Sequence, residues 1–199
     1  LVGSEMCIRD RSMTHDKNYE ATQYAIQVAK DNGCLISFDP NLRLSLWKTP
    51  EEARRRILYG MKQCDIMKIS EEEVAFVSEQ ESLEKGVSFI RDNSDIKILF
   101  VTLGNKGSIA YYKDEKIYCG GIHQEHVVDT TGAGDTFCGA VLSRILELGT
   151  DALTEKDIRE MLLFANAAAS IVVTRKGALC SMPEPEEIRA ASSLIDKVL

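Results

Sequence analysis

Asp129-Thr130-Thr131-Gly132-Ala133-Gly134-Asp135-Thr136-Phe137 sets two glycines around a small alanine, and a helical pattern follows at once. The first backbone N–H groups of a helix lack intrahelical acceptors and carry partial positive charge. Glycines at 132 and 134 remove side-chain bulk, so an anion can approach that backbone closely. The stretch is built like an anion cradle at a helix start. Asp135 falls in the first turn, where a carboxylate can simply favour the helix dipole. Beside a phosphate it would repel, and it is useful there if it accepts a proton from a hydroxyl that attacks the phosphate. From these residues alone, a tight turn with a helix-capping Asp stays open as the plainer alternative. The phosphate loop GxxxxGK[ST] does not occur in the chain, and the dinucleotide GxGxxG lacks its third glycine, Gly139 coming too late.

Outward from this stretch, strands and helices alternate. Tyr19 to Asn32 reads as a helix with Tyr24, Ile26, Val28 and Ala29 apolar and Asn32-Gly33 as its stop. Cys34 to Phe38 is a short buried strand ended by Asp39-Pro40-Asn41. Thr49-Pro50-Glu51-Glu52 is a capping box that opens a helix to about Lys62, with Arg54-Arg55-Arg56 expected on a solvated face. Asp65 to Ile69 is a strand, and Ser70-Glu71-Glu72-Glu73 opens the next helix. Leu83 to Asp92 is helical, Ile96 to Leu103 is an apolar strand, and Ser108 to Tyr112 with Lys116 to Cys119 form a hairpin. Ala133 to Leu148 is a helix with Phe137, Val141, Ile145 and Leu148 on one face. Glu155 to Val173 is a second, with Ile158, Met161, Leu162, Ala165, Ala169 and Val172 aligned, and Glu184 to Val198 is the last. This order implies an α/β fold, a mostly parallel sheet covered on both faces, with ligands beyond the carboxyl ends of the strands. The loops to watch are then Asp39 to Arg43, Ser70 to Glu73, Thr102 to Gly107 and Asp129 to Asp135.

The 199 residues are 44% hydrophobic and 28% charged, with net charge −7, a composition suited to a globular domain. The acidic balance argues against broad binding to nucleic acid or anionic membrane, though a local site for a small phosphate ligand is compatible with it. The longest charge-free apolar stretch, Met161 to Thr174, is too short to span a bilayer, and no secretory leader is evident. Six cysteines without a CxxC pair fit buried free thiols in a reducing cytoplasm. His123 and His126 lack further metal ligands and read as loop residues.

Asp129 to Phe137 resembles the signature of the ribokinase-like (PfkB) carbohydrate kinases. Asp39-Pro40-Asn41-Leu42-Arg43, followed by Leu44 to Trp47, resembles the DPNxR…LW segment of bacterial fructokinases. Lys68-Ile69-Ser70-Glu71-Glu72-Glu73 stands at the place of the family's NxxE motif, with Ser70 where much of the family has Asn. Val101 to Gly104 resembles its TxG loop, and Phe164 to Ala169 and Val173 to Ala178 its nucleotide and cation region. The resemblance covers most of residues 12–199 and implies a three-layer αβα ribokinase-like fold.

By that likeness, Asp135 is the general base toward a sugar hydroxyl, and the backbone of Gly132, Ala133 and Gly134 forms the anion hole, a kind of site where each donor is worth about 3–4 kcal/mol. ATP is the implied donor. Glu73 would organise Mg²⁺ through water, or merely close a capping box with Ser70, and the two are compatible. Ser70, Thr102, Gly104 and Gly107 would line the nucleotide site. Asn166 would lie near the adenine, the alternative being a polar residue on a buried helix facing a neighbour. Asn41 and Arg43 would lie on the substrate and phosphate side, the alternative for Arg43 being an ion pair with Asp39. A monovalent cation site, for which potassium is plausible, is implied at Asp129 and Thr131 with carbonyls of Val172, Arg175 and Gly177 and with Ser181. The alternative is that Asp129 only stabilises its loop.

Residues 1–11 show neither helical nor strand periodicity and resemble a translated adapter sequence, so the expected domain is 12–199. The family's early double-glycine sugar motif is not found before residue 12. The resemblance thus implies the C-terminal part of such a kinase: the nucleotide site and catalytic base, with little or no sugar turnover on its own. D-fructose, giving fructose 6-phosphate, is the expected substrate, with ribose and 2-keto-3-deoxygluconate as alternatives. A non-catalytic nucleotide- or sugar-binding relative is the alternative of another class. A homodimer of the full-length protein is a further implication of the family.

Overall fold

The computed structural model describes residues 5–9, 12–177 and 179–195. The chain divides into two compact units, residues 1–101 and 102–199. In the first unit, strand β1 (Glu5–Arg9) leads to helix α1 (Asp16–Asp31), β2 (Leu35–Asp39), α2 (Pro50–Met61), β3 (Ile66–Ser70), α3 (Glu71–Ser78), α4 (Leu83–Asp92) and β4 (Ile98–Thr102). β2 is the parallel neighbour of both β1 and β3, with Arg9 opposite Asp39 and Phe38 opposite Met67. These strands read as continuous apolar runs because both their faces are covered, as parallel sheets require: Ile36, Phe38, Ile66, Met67, Ile69 and Ile98 to Val101 are all buried.

Of the two capping boxes that the sequence predicts, the one at α3 is whole and the one at α2 is half made, the Glu52 carboxylate pairing with Arg56 instead. The Thr49 hydroxyl accepts from the Glu52 amide at 3.1 Å with Pro50 in the first helical position, and Ser70 and Glu73 close a reciprocal box at the start of α3. Each such cap is worth about 1 kcal/mol. Gly86 lets α4 lie against α3, since a Cβ there would sit 2.5 Å from Val74 Cγ1.

In the second unit, β5 (Gly107–Tyr112) and β6 (Glu115–Gly120) form an antiparallel hairpin, followed by α5 (Ala133–Leu148), α6 (Glu155–Val172) and α7 (Pro185–Ile195). α6 packs on α5, on the hairpin and on α7. Its buried stripe, Ile158, Met161, Leu162, Ala165, Ala168 and Val172, repeats at helical spacing. The large members of such a stripe each contribute about 1.5–3 kcal/mol. A Thr154–Asp157 capping box starts α6.

Four expectations change. A strand occupies Glu5–Arg9, where the sequence has no alternation to announce it; pairing with β2 supplies what local propensity does not. Tyr24 and Val28 lie on the exposed face of α1, and Leu148 is exposed at the end of α5. Cys34 is half-buried, and Cys7 and Cys180 are exposed, whereas Cys64, Cys119 and Cys138 are buried and outside any disulfide. Burial pushes the Cys64 thiol well above its ordinary range. Arg56 is only 3% exposed, not solvated. It donates to the Met13 carbonyl, pairs with Asp16 and Glu52, and lies over the Tyr19 ring at 4.7 Å. Finally, residues 196–198 of the expected last helix lie outside the described residues.

Candidate active site

In the second unit, the stretch from Asp129 forms a turn and enters α5 at once. Gly132 is the residue before the helix, with φ 87° and ψ −8°, a left-handed conformation in which any side chain is strained. The Ala133 amide donates back to Thr130 O at 3.3 Å and the Thr136 amide to Gly132 O at 2.8 Å. Gly134 holds the second helical position, whose amide an α-helix leaves without an internal acceptor. Asp135 follows in the same turn, half-buried. The glycine turn and the helix start are where the sequence predicts them, and the Ala133 amide is turned onto its own turn.

Asp129 works as a clasp. One carboxylate oxygen accepts from the Thr131 amide at 2.9 Å, the other from the Gly177 amide at 3.3 Å. Those contacts, Thr131's first, hold its carboxyl below the usual carboxylate range. The Val128 and Asp129 amides both donate to Val173 O, at 2.8 and 3.2 Å. On the far side, the Ser181 hydroxyl donates to Gly177 O, Arg175 Nη1 reaches Ser181 O at 3.4 Å, and the Arg175 amide donates to Val172 O at 3.0 Å. Asp129, Thr131, Val172, Arg175, Gly177 and Ser181 are therefore joined by hydrogen bonds through this segment. Carbonyl and carboxylate oxygens of this kind suit a hard monovalent cation, and each keeps a second lone pair. Ala178 of the sequence motif lies outside the described residues.

Thr102 ends β4, and Leu103 to Lys106 turn tightly, with the Leu103 amide on Gly107 O at 2.8 Å. Gly104 has φ 61° and open space around it. Gly107 is a packing glycine instead: a Cβ there would fall 2.2 Å from Cys119 O. Asn166, 7% exposed, spends its amide on the hairpin. Its Oδ1 accepts from the Ser108 hydroxyl at 3.0 Å, and its Nδ2 donates to Cys119 O and Gly120 O, both at 3.2 Å. This is the geometry of the alternative set beside the adenine expectation: a buried polar clamp between α6 and β5–β6.

In the first unit, the carboxyl ends of β2 and β3 open a groove of about 620 Å³, lined among others by Asn41, Leu42, Lys68, Ser70, Glu73 and Phe76. Glu73 is buried, and both its oxygens accept backbone N–H: Leu42's at 2.6 Å and Ser70's at 2.8 Å. The capping box is thus made, and Glu73 also reaches across to the Asp39–Arg43 loop. Its remaining lone pairs are hard oxygen donors facing a groove, which fits water-mediated contact with Mg²⁺. Asn41 holds φ 43°. Arg43 is exposed and does not pair with Asp39. Asp39 pairs instead with Lys68 Nζ at 3.2 Å and Arg9 at 3.7 Å. Burial raises the Asp39 pKa, against the pull of Lys68 and Arg9, and the nearby Glu73 adds to the rise.

Lys68 lines this groove, and the sequence reading does not assign it a role. A lone lysine inside an apolar strand is the signal that could have marked it. Among the described residues no three His, Cys, Asp or Glu are gathered to hold a metal ion, and no helix is long and apolar enough to cross a membrane.

Comparison with known proteins supports the resemblance. The chain is 42% identical over 166 residues to fructokinase-1 of Oryza sativa subsp. japonica, covering 82% of this chain and 50% of that protein. It is 39% identical over 163 residues to fructokinase-2 of Solanum lycopersicum, covering 82% and 49%. The chain thus spans about half the length of these relatives. Among solved structures, a Vibrio cholerae O395 fructokinase double mutant bound to fructose, ADP and potassium superposes with a TM-score of 0.87 at 30% identity, covering 94% of this chain and 60% of that one. The expected ribokinase-like α/β fold is the one observed. Residues 7–185 match the profile of the pfkB family carbohydrate kinases, and the chain belongs to that family.

Proposed function

We propose that the full-length protein transfers the γ-phosphoryl group of ATP to a sugar hydroxyl, with D-fructose as acceptor and fructose 6-phosphate as product. The observation that carries this is the left-handed turn at Gly132, which starts α5 with Asp135 in its first turn. Asp135 accepts the hydroxyl proton as the new O–P bond forms and the bond to ADP breaks. The amides of Gly132, Ala133 and Gly134 hold the charge on the migrating group, Ala133 giving up its long bond to Thr130 O to do so. Preorganised donors of this kind contribute about 3–4 kcal/mol each. A positioned base adds about 10²- to 10⁴-fold in rate.

Thr102 and Gly104 belong to the nucleotide side, with Gly107 and Asn166 supporting it by fixing the hairpin, and Asn41 and Arg43 belong to the phosphate and substrate side. Magnesium, when bound, neutralises charge on the phosphates of ATP, and Glu73 with Ser70 would hold it through water. Potassium would take Asp129, Thr131 and the neighbouring carbonyls. The fructose reading is supported by the fructokinases to which the chain is similar. The acting form is a cytoplasmic homodimer with sugar and ATP as its partners. The 199 residues alone turn over fructose poorly or not at all, since they cover half the length of those relatives.

The test is ATP-dependent phosphorylation of a panel of fructose, ribose and 2-keto-3-deoxygluconate by the full-length protein, with ADP release coupled to NADH oxidation. Fructose-dependent turnover at least tenfold above the others supports the reading. Preference for either other sugar replaces the substrate, and no turnover with ATP binding intact makes the protein a non-catalytic relative.

A further inference from the structure

We propose that Glu73 is a positioning residue: through the Leu42 amide it fixes the Asp39–Arg43 loop so that the Arg43 guanidinium is presented to a phosphate anion. The inference rests on the kinase reading only for the identity of that anion. β2 and β3 run side by side; at the same end β2 runs out into the Asp39–Arg43 loop and β3 passes straight into α3. Two buried carboxylates tie these ends together. Asp39 holds Lys68 across the strands, and Glu73 holds Leu42 on the loop after β2 and Ser70 at the end of β3. Between the two ties lies Asn41 with φ 43°, a conformation that a non-glycine residue keeps only when its surroundings enforce it. Directly after Leu42 comes Arg43, exposed to solvent, its guanidinium in no ion pair with Asp39. A capping box needs Glu73 to reach only Ser70. The 2.6 Å contact to Leu42 is an addition that capping does not explain.

Capping and clasping separate in the variant Glu73→Asp. An aspartate closes the box at the start of α6, where Asp157 accepts from the Thr154 amide, so aspartate at 73 keeps both the cap and the charge. One methylene shorter, it no longer spans to Leu42.

The experiment uses the 199-residue chain. Amide hydrogen exchange at Leu42 and Ser70 is measured in the unaltered chain and in Glu73→Asp. ATP affinity is measured by calorimetry, in EDTA so that no divalent metal intervenes, for Glu73→Asp, Arg43→Ala and the double variant. A lost charge-assisted hydrogen bond corresponds to exchange at Leu42 faster by about 10- to 100-fold, with Ser70 unchanged. Arg43→Ala lowers ATP affinity about tenfold, Glu73→Asp lowers it severalfold, and the double variant is no weaker than Arg43→Ala alone. Unchanged exchange at Leu42 overturns the clasp. Equal loss from Glu73→Asp with and without Arg43 overturns the link to Arg43. A chain that binds no ATP in any form fails the kinase reading instead, and Leu42 exchange then decides the clasp by itself.

Discussion

Asn166→Ala separates a structural clamp from a nucleotide contact. The side chain makes three hydrogen bonds, one from the Ser108 hydroxyl and two to the carbonyls of Cys119 and Gly120. Each is worth about 1 kcal/mol net, and a buried group left without its partner costs about 1–3 kcal/mol. Ser108 is fully buried, so no water replaces Asn166 there without entering the core. The two routes of counting agree on a loss of about 3 kcal/mol. At about 2–4 °C per kcal/mol for a chain of this size, the melting temperature falls by about 6–12 °C. Asn166→Asp does worse, because it keeps the acceptor for Ser108 but turns a carboxylate toward two carbonyl oxygens. Differential scanning calorimetry with and without saturating ATP is the assay. The clamp predicts a lower melting temperature and an undiminished upward shift on adding ATP. An unchanged melting temperature with a tenfold weaker ATP affinity would refute it and return Asn166 to the adenine site.

Two other perturbations follow from the same geometry. Arg56→Ala removes charge-assisted bonds from a buried guanidinium and should destabilise the first unit by about 2–3 kcal/mol in urea titration, whereas Arg55→Ala on the exposed face should be neutral within about 0.5 kcal/mol. The Asp129 clasp depends on ionisation. Its folded pKa lies below the ordinary 3.8, so its contribution is complete above that value and is lost as pH falls through the lower, folded pKa. Amide exchange at Thr131 and Gly177, corrected for intrinsic rates, should rise over that acidic window, and Asp129→Asn should abolish the pH dependence.

Local chemistry made most of the elements legible. α4 and α5 run over the ranges that the sequence predicts, Leu83–Asp92 and Ala133–Leu148, and the structure shows why: Ser82 and Asn93 bound α4, and Gly132 and Gly149 bound α5. The glycine turn that leads into α5 was legible for the same reason. The arginine run was not: successive helical residues differ by about 100°, so Arg54, Arg55 and Arg56 face three directions, and only packing tells which is inward. β1 was hidden because its five residues carry little strand preference and depend on β2. The ties of Glu73 to Leu42, Asp39 to Lys68 and Asn166 to Ser108 span 29 to 58 positions, and they become visible only when it is known which strands lie side by side.

In the proposed reaction, Asp135 collects the proton of the attacking hydroxyl while the start of α5 holds the phosphoryl group. Asp135→Asn in the full-length protein keeps the shape and removes the base. Steady-state kinetics with fructose and ATP, beside calorimetric ATP binding, should show kcat lowered by about 10²- to 10⁴-fold with ATP affinity within about threefold of the unaltered protein. A kcat that survives within threefold would remove Asp135 from the role of base.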